Sequence, residues 1–307
     1  MSGALGRGIN FGNALDAAAE GEAGFRLTSR YFEMVKAVGF DTVRLPVKWS
    51  VHVASEPPYE IDLAFVDRVD WAMGAAAEAG LKTVVNWHHY QELCEAATDH
   101  QERFLAVWRC LAERYSGRSE DVYFELLNEP YAMTHESWND LAARALAVVR
   151  ESNPTRGVIV GPVDWNSIDA LALLELPSDD NLVVTVHYYS PMEFTHQGAH
   201  WVADRDLPEG ERWNVEDGRA AVAQDLERAA TWARQRGLPL FVGEFGAYEK
   251  AEMGDRAAWT ECVRTEAERR DASWAYWDFG TDFGVYDCRS DRWRLPLRNA
   301  LLGPDGG

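Results

Sequence analysis

The sequence predicts an α/β protein, a single closed (β/α)8 barrel of the TIM type, and three observations predict it. Short runs rich in β-branched and aromatic residues recur eight times along the 307 residues. Amphipathic helical stretches fall between them. Neither a linker nor a shift in composition divides the chain, so residues 1–307 read as one domain.

The strands are expected to begin near Gly6, Thr42, Lys82, Val122, Gly157, Leu182, Pro239 and Ser273. Their spacings are 36, 40, 40, 35, 25, 57 and 34 residues, each roughly the size of a βαβ unit. Between them, residues 28–38 place Tyr31, Phe32, Val35 and Val38 on one helical face. Residues 63–79 do the same with Phe65, Val66, Val69, Trp71 and Met73, and Gly80 stops that helix. A third helix is read over 137–150, capped by Ser137, and a fourth over 219–235. Trp108, Trp232 and Trp259 fall in helical patterns and read as core. The 57-residue spacing leaves a long loop, about 190–217, of the kind that usually carries function. A doubly wound open sheet is the alternative, but it calls for a glycine-rich phosphate loop that the sequence lacks.

Composition narrows the partners. Hydrophobic residues make up 47% and charged residues 26%, ordinary for a globular chain, while the formal net charge is −20. So acidic a surface repels nucleic acid and anionic membranes, and it is indifferent to a neutral glycan. The four cysteines, Cys94, Cys110, Cys262 and Cys288, have no metal-finger spacing and read as free thiols, with a Cys94–Cys110 bridge left open. The first residues, from Met1 to Arg7, lack the apolar core of a leader, and no run is long enough to span a membrane. A cytoplasmic monomer is expected, or a secreted one if a leader has been removed.

A barrel strand should be uniformly apolar, yet these end in polar and aromatic groups. Strand two contains Arg44, and strand three ends Asn86-Trp87-His88-His89. Strand four ends Asn128-Glu129, strand six His187-Tyr188-Tyr189, strand seven Glu244 and strand eight Trp277-Asp278. Charge is costly to bury, and gathering it at one mouth of the barrel builds a site. Glu129 and Glu244, on strands expected to face each other, are the pair that glycosidic bond hydrolysis requires. Arg44 and Tyr189 would hold Glu244 ionised, Asn128 would bond a sugar 2-hydroxyl, and Trp277 offers a face to a pyranose ring. Taken singly, each residue reads as structural; a lone Asn-Glu-Pro or core histidine carries little. His88 and His89 would face opposite ways along a strand, which argues against one metal ion holding both.

The segments VRLPV, NWHHY, ELLNEP, VHYY, VGEFG and AYWDFG, in this order, resemble glycoside hydrolase family 5 of clan A. The likeness runs from residue 6 to residue 287. Through FTHQGAHW at 194–201 it is closest to bacterial endo-β-1,4-glucanases that also cleave mannan. The resemblance implies a retaining mechanism with Glu129 as acid/base and Glu244 as nucleophile, and with no metal or organic cofactor. It implies that Arg44, His88, Asn128, His187, Tyr189 and Trp277 surround the scissile bond. Asn13, Asp16, His89, His196 and Trp201 would extend the groove, and relatives carry Glu where this chain has Asp16. The implied substrates are β-glucan, soluble cellulose derivatives, glucomannan and mannan; without an appended binding module, crystalline cellulose is expected to be poor. A dedicated mannanase, a silent sugar-binding barrel and a metal-dependent hydrolase are the competing readings.

Overall fold

A computed structural model describes residues 5–22, 25–202 and 207–304. The first four residues, read above as part of a leaderless terminus, lie outside the described residues, as do 203–206 of the long loop.

Eight parallel strands close into a barrel: β1 Arg7–Asn10, β2 Thr42–Leu45, β3 Lys82–Asn86, β4 Val122–Glu125, β5 Val158–Val160, β6 Leu182–His187, β7 Leu240–Glu244 and β8 Ser273–Tyr276. Each begins within one residue of its expected start. The ring is completed where Arg7 of β1 pairs with Trp274 of β8. Strand side chains alternate, so one face of each strand fills the barrel and the other meets the helices. Leu5, Val84, Ile159, Val183, Phe241 and Ala275 pack together as an apolar floor. Two residues further along the same strand faces come Asn86, Thr185 and Gly243, with Glu125 two beyond Tyr123 at the margin of that floor. The barrel interior is therefore apolar at its base and polar at its mouth.

The helices behave as amphipathic staves. Ser29–Ala37 buries Phe32 and Val35, and Leu63–Glu78 buries Val66, Val69 and Met73 behind an Asp62 cap. Trp71, expected on that apolar face, is 37% exposed and lies under the Arg68 guanidinium at 3.9 Å. The helix expected over 137–150 runs His135–Ser152, and its cap is Thr134, whose hydroxyl accepts from the Ser137 N–H at 3.2 Å. Thr134→Ala is expected to lower stability by about 1 kcal/mol, read as a shift in the urea midpoint at unchanged slope. The helix expected from 219 begins at Val215 and runs to Gln235. Trp108, Trp232 and Trp259 are buried as expected.

The 25-residue spacing between the fifth and sixth strands has a structural reason. In place of a full stave the chain makes a tight turn at Val163–Asn166 and a 3-10 segment, Ile168–Leu173. In the long loop, Met192–Thr195 forms one helical turn that carries His196 to the barrel mouth. All four cysteines are free, with Cys94 buried and Cys110 exposed, so the Cys94–Cys110 bridge does not form. No helix among the described residues is long and apolar enough to cross a membrane.

Candidate active site

Most of the polar groups read as strand ends lie just past them, in the loops at the C-terminal mouth. The third strand stops at Asn86, the fourth at Glu125 and the eighth at Tyr276, so His88, His89, Asn128, Glu129 and Trp277 are loop residues. Several hold backbone conformations that non-glycine residues rarely adopt: Asn13 at φ 60°, His89 at 56° and Glu129 at 47°. Such strain persists where surrounding structure imposes it, and it collects at functional sites.

Arg44 organises the floor of the site. It is fully buried on β2 and makes five hydrogen bonds. Its Nε and one terminal nitrogen fork onto the Glu125 carboxylate, both at 2.7 Å. The other terminal nitrogen bonds Glu244 at 2.6 Å and the Asn10 side-chain oxygen at 2.8 Å. The Asn128 side-chain oxygen also accepts from Arg44, at 2.6 Å, and the Asn128 side chain also hydrogen-bonds the Glu129 carboxyl. Burial works against the Arg44 charge, but Glu125 and Glu244 offset it and hold the guanidinium protonated. Glu125 and Asn10 were missed from sequence. The charged residue inside the otherwise apolar run VYFELL is the signal the sequence carries for Glu125.

Glu244 ends β7 opposite His187 of β6 in the ladder. Besides Arg44, it accepts from the Tyr189 hydroxyl at 2.9 Å. Burial pushes its carboxyl up from the ordinary value, while His187 and Arg44 pull it back. Glu129 has no such fork. Its Oε1 lies 2.7 Å from His187 Nδ1, and burial pushes its carboxyl up to about 7. Asn166, absent from the sequence reading, approaches the other ring nitrogen of His187 at 3.2 Å. With the amide N–H donating there, Nδ1 carries the ring hydrogen and donates to Glu129. Burial takes His187 down to about 4, so the imidazole is neutral near pH 7.

A carboxylate oxygen of Glu129, one of Glu244 and a ring nitrogen of His187 all lie within 4.8 Å of one another. This is close to the separation of about 5–5.5 Å that goes with direct attack by a carboxylate, and short of the roughly 6.5–9.5 Å that admits a water between the pair.

Around the pair, Asn13, His88, His89, Glu129, Tyr189, His196, Trp201, Glu244 and Trp277 line one cleft of about 340 Å³. Trp277 stacks parallel to His88, ring centres 5.5 Å apart, and lies so close over Gly12 that an added Cβ would come within 2.6 Å of the indole. Asn13 donates to Thr281 at 2.9 Å. His196 packs its edge on Tyr189 at 4.9 Å, and Trp201 is 44% exposed at the rim. Asp16 is placed differently from the rest. It does not line the cleft but lies buried behind His88, one oxygen 3.8 Å from Nε2 and the other without a hydrogen-bond partner among the described residues. Burial pushes its carboxyl up to about 7.

The argument that His88 and His89 face opposite ways does not hold. The strand has ended before them, their rings meet edge to face at 4.1 Å, and both lie within ligand reach of Asp16. Hydrogen bonding suits this trio better than metal ligation. Asn86 accepts from the Val47 N–H, so its amide N–H donates to His88 Nδ1, and His88 Nε2 then carries a hydrogen rather than a free lone pair. In the Glu129–His187–Glu244 trio, Arg44 and Tyr189 already occupy the Glu244 oxygens and Arg44 repels a cation.

Two carboxyl groups so closely spaced, one clasped by a guanidinium and the other biased toward its protonated form, mark a glycoside hydrolase of the retaining kind. The family profile described as "Cellulase (glycosyl hydrolase family 5)" matches residues 15–282. Endoglucanase H of Acetivibrio thermocellus is 33% identical over 98% of this chain, which spans only about a third (33%) of that protein's length. Endoglucanase C of the same organism is 29% identical over 85% of this chain and 86% of its own. Solved structures of Thermotoga maritima Cel5A superpose with a TM-score of 0.95 over 98% of each chain, at 42% identity for a complex with cellobiose and 41% for one with mannotriose. The chain belongs to glycoside hydrolase family 5.

Proposed function

We propose that the protein is an endo-β-1,4-glucanase whose single barrel domain cleaves β-glucan and cellulose-type chains by double displacement, with Glu244 as nucleophile and Glu129 as acid/base. The observation that carries the reading is the unequal treatment of two carboxyl groups within 4.8 Å of each other. Arg44 and Tyr189 hydrogen-bond the Glu244 carboxylate against the burial that raises it, whereas Glu129, with His187 at 2.7 Å and no direct bond to Arg44, is pushed by burial up to about 7 against the weaker pull of Arg44 and Asn128.

In the first step a Glu244 oxygen bonds the anomeric carbon as the glycosidic C–O bond breaks. The Glu129 proton passes to the departing oxygen, leaving a glycosyl ester on Glu244 and a carboxylate on Glu129. His187 Nδ1–H then supports the new Glu129 charge. In the second step Glu129 takes a proton from water, whose oxygen displaces Glu244 from the anomeric carbon, and the original configuration is restored. Asn128, positioned by Arg44, presents its amide to the 2-hydroxyl, and Trp277 with His88 beneath it forms the apolar wall for the ring being cleaved. Asn13, His89, His196 and Trp201 extend the groove, while Asp16 acts through His88. The substrate is a neutral β-1,4-glycan bound by a monomer, and mannan is a further substrate class because a relative has been solved with mannotriose.

The test is reducing-sugar release from barley β-glucan, carboxymethylcellulose, glucomannan and mannan. Activity on the glucans supports the reading, and a mannan rate exceeding them would make it a mannanase. Silence on all four with oligosaccharide binding retained would leave a sugar-binding barrel. The pH profile gives an independent check. Glu129 works protonated in the first step, so kcat/KM is expected to fall as pH rises through about 7 and to fall on the acid side as Glu244 takes up a proton. An alkaline limb two units or more from 7 would overturn the acid assignment.

A further inference from the structure

His187 stands between the two carboxyl groups of the reaction. Its Nδ1 lies 2.7 Å from Glu129 Oε1 and 3.6 Å from Glu244 Oε2. The ring is buried and neutral near pH 7, so it carries a single hydrogen. Which nitrogen holds that hydrogen decides what the ring can do for either carboxyl group. A bare Nδ1 could only accept, whereas Nδ1–H can donate to whichever of the two is charged. Among the described residues, Asn166 alone is hydrogen-bonded to the other nitrogen, Nε2, at 3.2 Å.

The fold builds Asn166 into that position. It closes the turn 164–166, whose three residues all hold left-handed backbone, with φ of 56°, 57° and 57°. Asparagine adopts that conformation more readily than most residues. The Trp165 N–H donates to the Pro130 carbonyl at 3.3 Å, which ties the turn to the loop carrying Glu129. The Asn166 side chain is fully buried, and two glycines make room for it against the ring. A Cβ at Gly161 would collide with Asn166 Oδ1, and one at Gly243 would stand 3.1 Å from His187 Nε2. Asn166 Oδ1 has no hydrogen-bond partner among the described residues. A buried acceptor left unpartnered costs about 1–3 kcal/mol, and here it follows from turning the amide N–H toward the ring.

Resting on the function proposed above, we propose that Asn166 is a positioning residue: its amide N–H occupies His187 Nε2, fixes the ring hydrogen on Nδ1, and so keeps one N–H poised between Glu129 and Glu244. The first step moves negative charge from Glu244, which becomes an ester, to Glu129, which has given up its proton. The Nδ1–H is already within bonding length of the group that ends charged. The second step returns the charge to Glu244 and the proton to Glu129, and His187 keeps its hydrogen throughout. Asn166 touches no substrate and sets the acid strength of Glu129 through the ring.

The tautomer is read by nitrogen-15 NMR of histidine-labelled protein near pH 7, with the His187 signals identified by their loss in His187→Gln. The parent is expected to show Nδ1 protonated and Nε2 bare; a protonated Nε2 in the parent overturns the inference whatever any variant does. Asn166→Asp keeps the shape of the side chain and its tolerance of the turn. A carboxylate accepts where the amide donated, so Nε2 should now carry a hydrogen. Glu129 is a poorer acid in either resulting state. A bare Nδ1 gives its carboxylate no donor, and a doubly protonated ring draws off its proton in the resting enzyme. The kinetic readout compares kcat/KM on phenyl β-cellobioside, whose leaving group needs a proton, with kcat/KM on dinitrophenyl β-cellobioside, whose leaving group does not. Asn166→Asp is expected to lower the first relative to the second about ten- to a hundredfold, a part of the ~10²–10⁴-fold that a general acid contributes. Damage to the turn alone lowers both rates together, and a ratio within about twofold of the parent overturns the inference while leaving the proposed function standing. A parent inactive on both substrates overturns the proposed function and this inference with it.

Discussion

Glu244→Ala is expected to lower kcat on β-glucan by at least about ten-thousandfold, because it deletes the group that forms the covalent bond. The variant leaves a gap beneath the anomeric carbon, flanked by Arg44 and Tyr189, which bond the two Glu244 oxygens at 2.6 and 2.9 Å. A small anion such as azide fits that gap. With an activated aryl cellobioside, azide should restore turnover and give the α-glycosyl azide, a single inversion. Glu129→Ala should behave differently. An activated leaving group needs no proton, so the first step survives and the ester accumulates, while azide attacks it to give the β-product. Product configuration, read by NMR, thus assigns each carboxyl group separately; the β-azide from Glu244→Ala would exclude it as nucleophile.

The second large effect is on stability. Arg44→Met removes the guanidinium from between carboxylates whose side chains are 0% and 5% exposed. Stranding buried charge in this way costs about 3–5 kcal/mol, which chemical denaturation should register. Losing Arg44 also removes one of the groups that hold the Glu244 carboxyl down. The ionised form is then harder to reach, so any residual activity should appear only at higher pH than in the parent. An unchanged acid limb would mean that Tyr189 and His187 suffice without Arg44.

Much of this was legible from the chain. Every strand start was readable because buried parallel strands are short, apolar and regularly spaced. Glu129, Glu244 and Arg44 stood out because ionisable groups rarely interrupt such runs without a partner. What stayed hidden depends on backbone conformation and distant pairing. Nothing in the string HHY shows that the chain leaves the strand at Asn86 and turns left-handed at His89, which brings two histidines to one side. The string DWN gives no hint that three residues adopt positive φ and expose an indole. Asp16 reads as a groove residue by position, and only packing shows it behind His88. Thr134 rather than Ser137 caps its helix because the first turn starts earlier than the apolar periodicity does.

The charge network at the barrel mouth has a consequence for assembly. Asn10, Arg44, Glu125 and Glu244 come from the first, second, fourth and seventh strands, and the Arg44–Glu244 bond spans 200 residues of chain. A partly formed sheet lacking the seventh strand would keep Arg44 and Glu125 paired but leave the rest of the constellation unfinished. Only ring closure satisfies it. Cooperativity is thereby built into the catalytic machinery itself: the apolar floor, which draws on Phe241 and Ala275 of the seventh and eighth strands, and the polar mouth above it are both completed only when the ring closes.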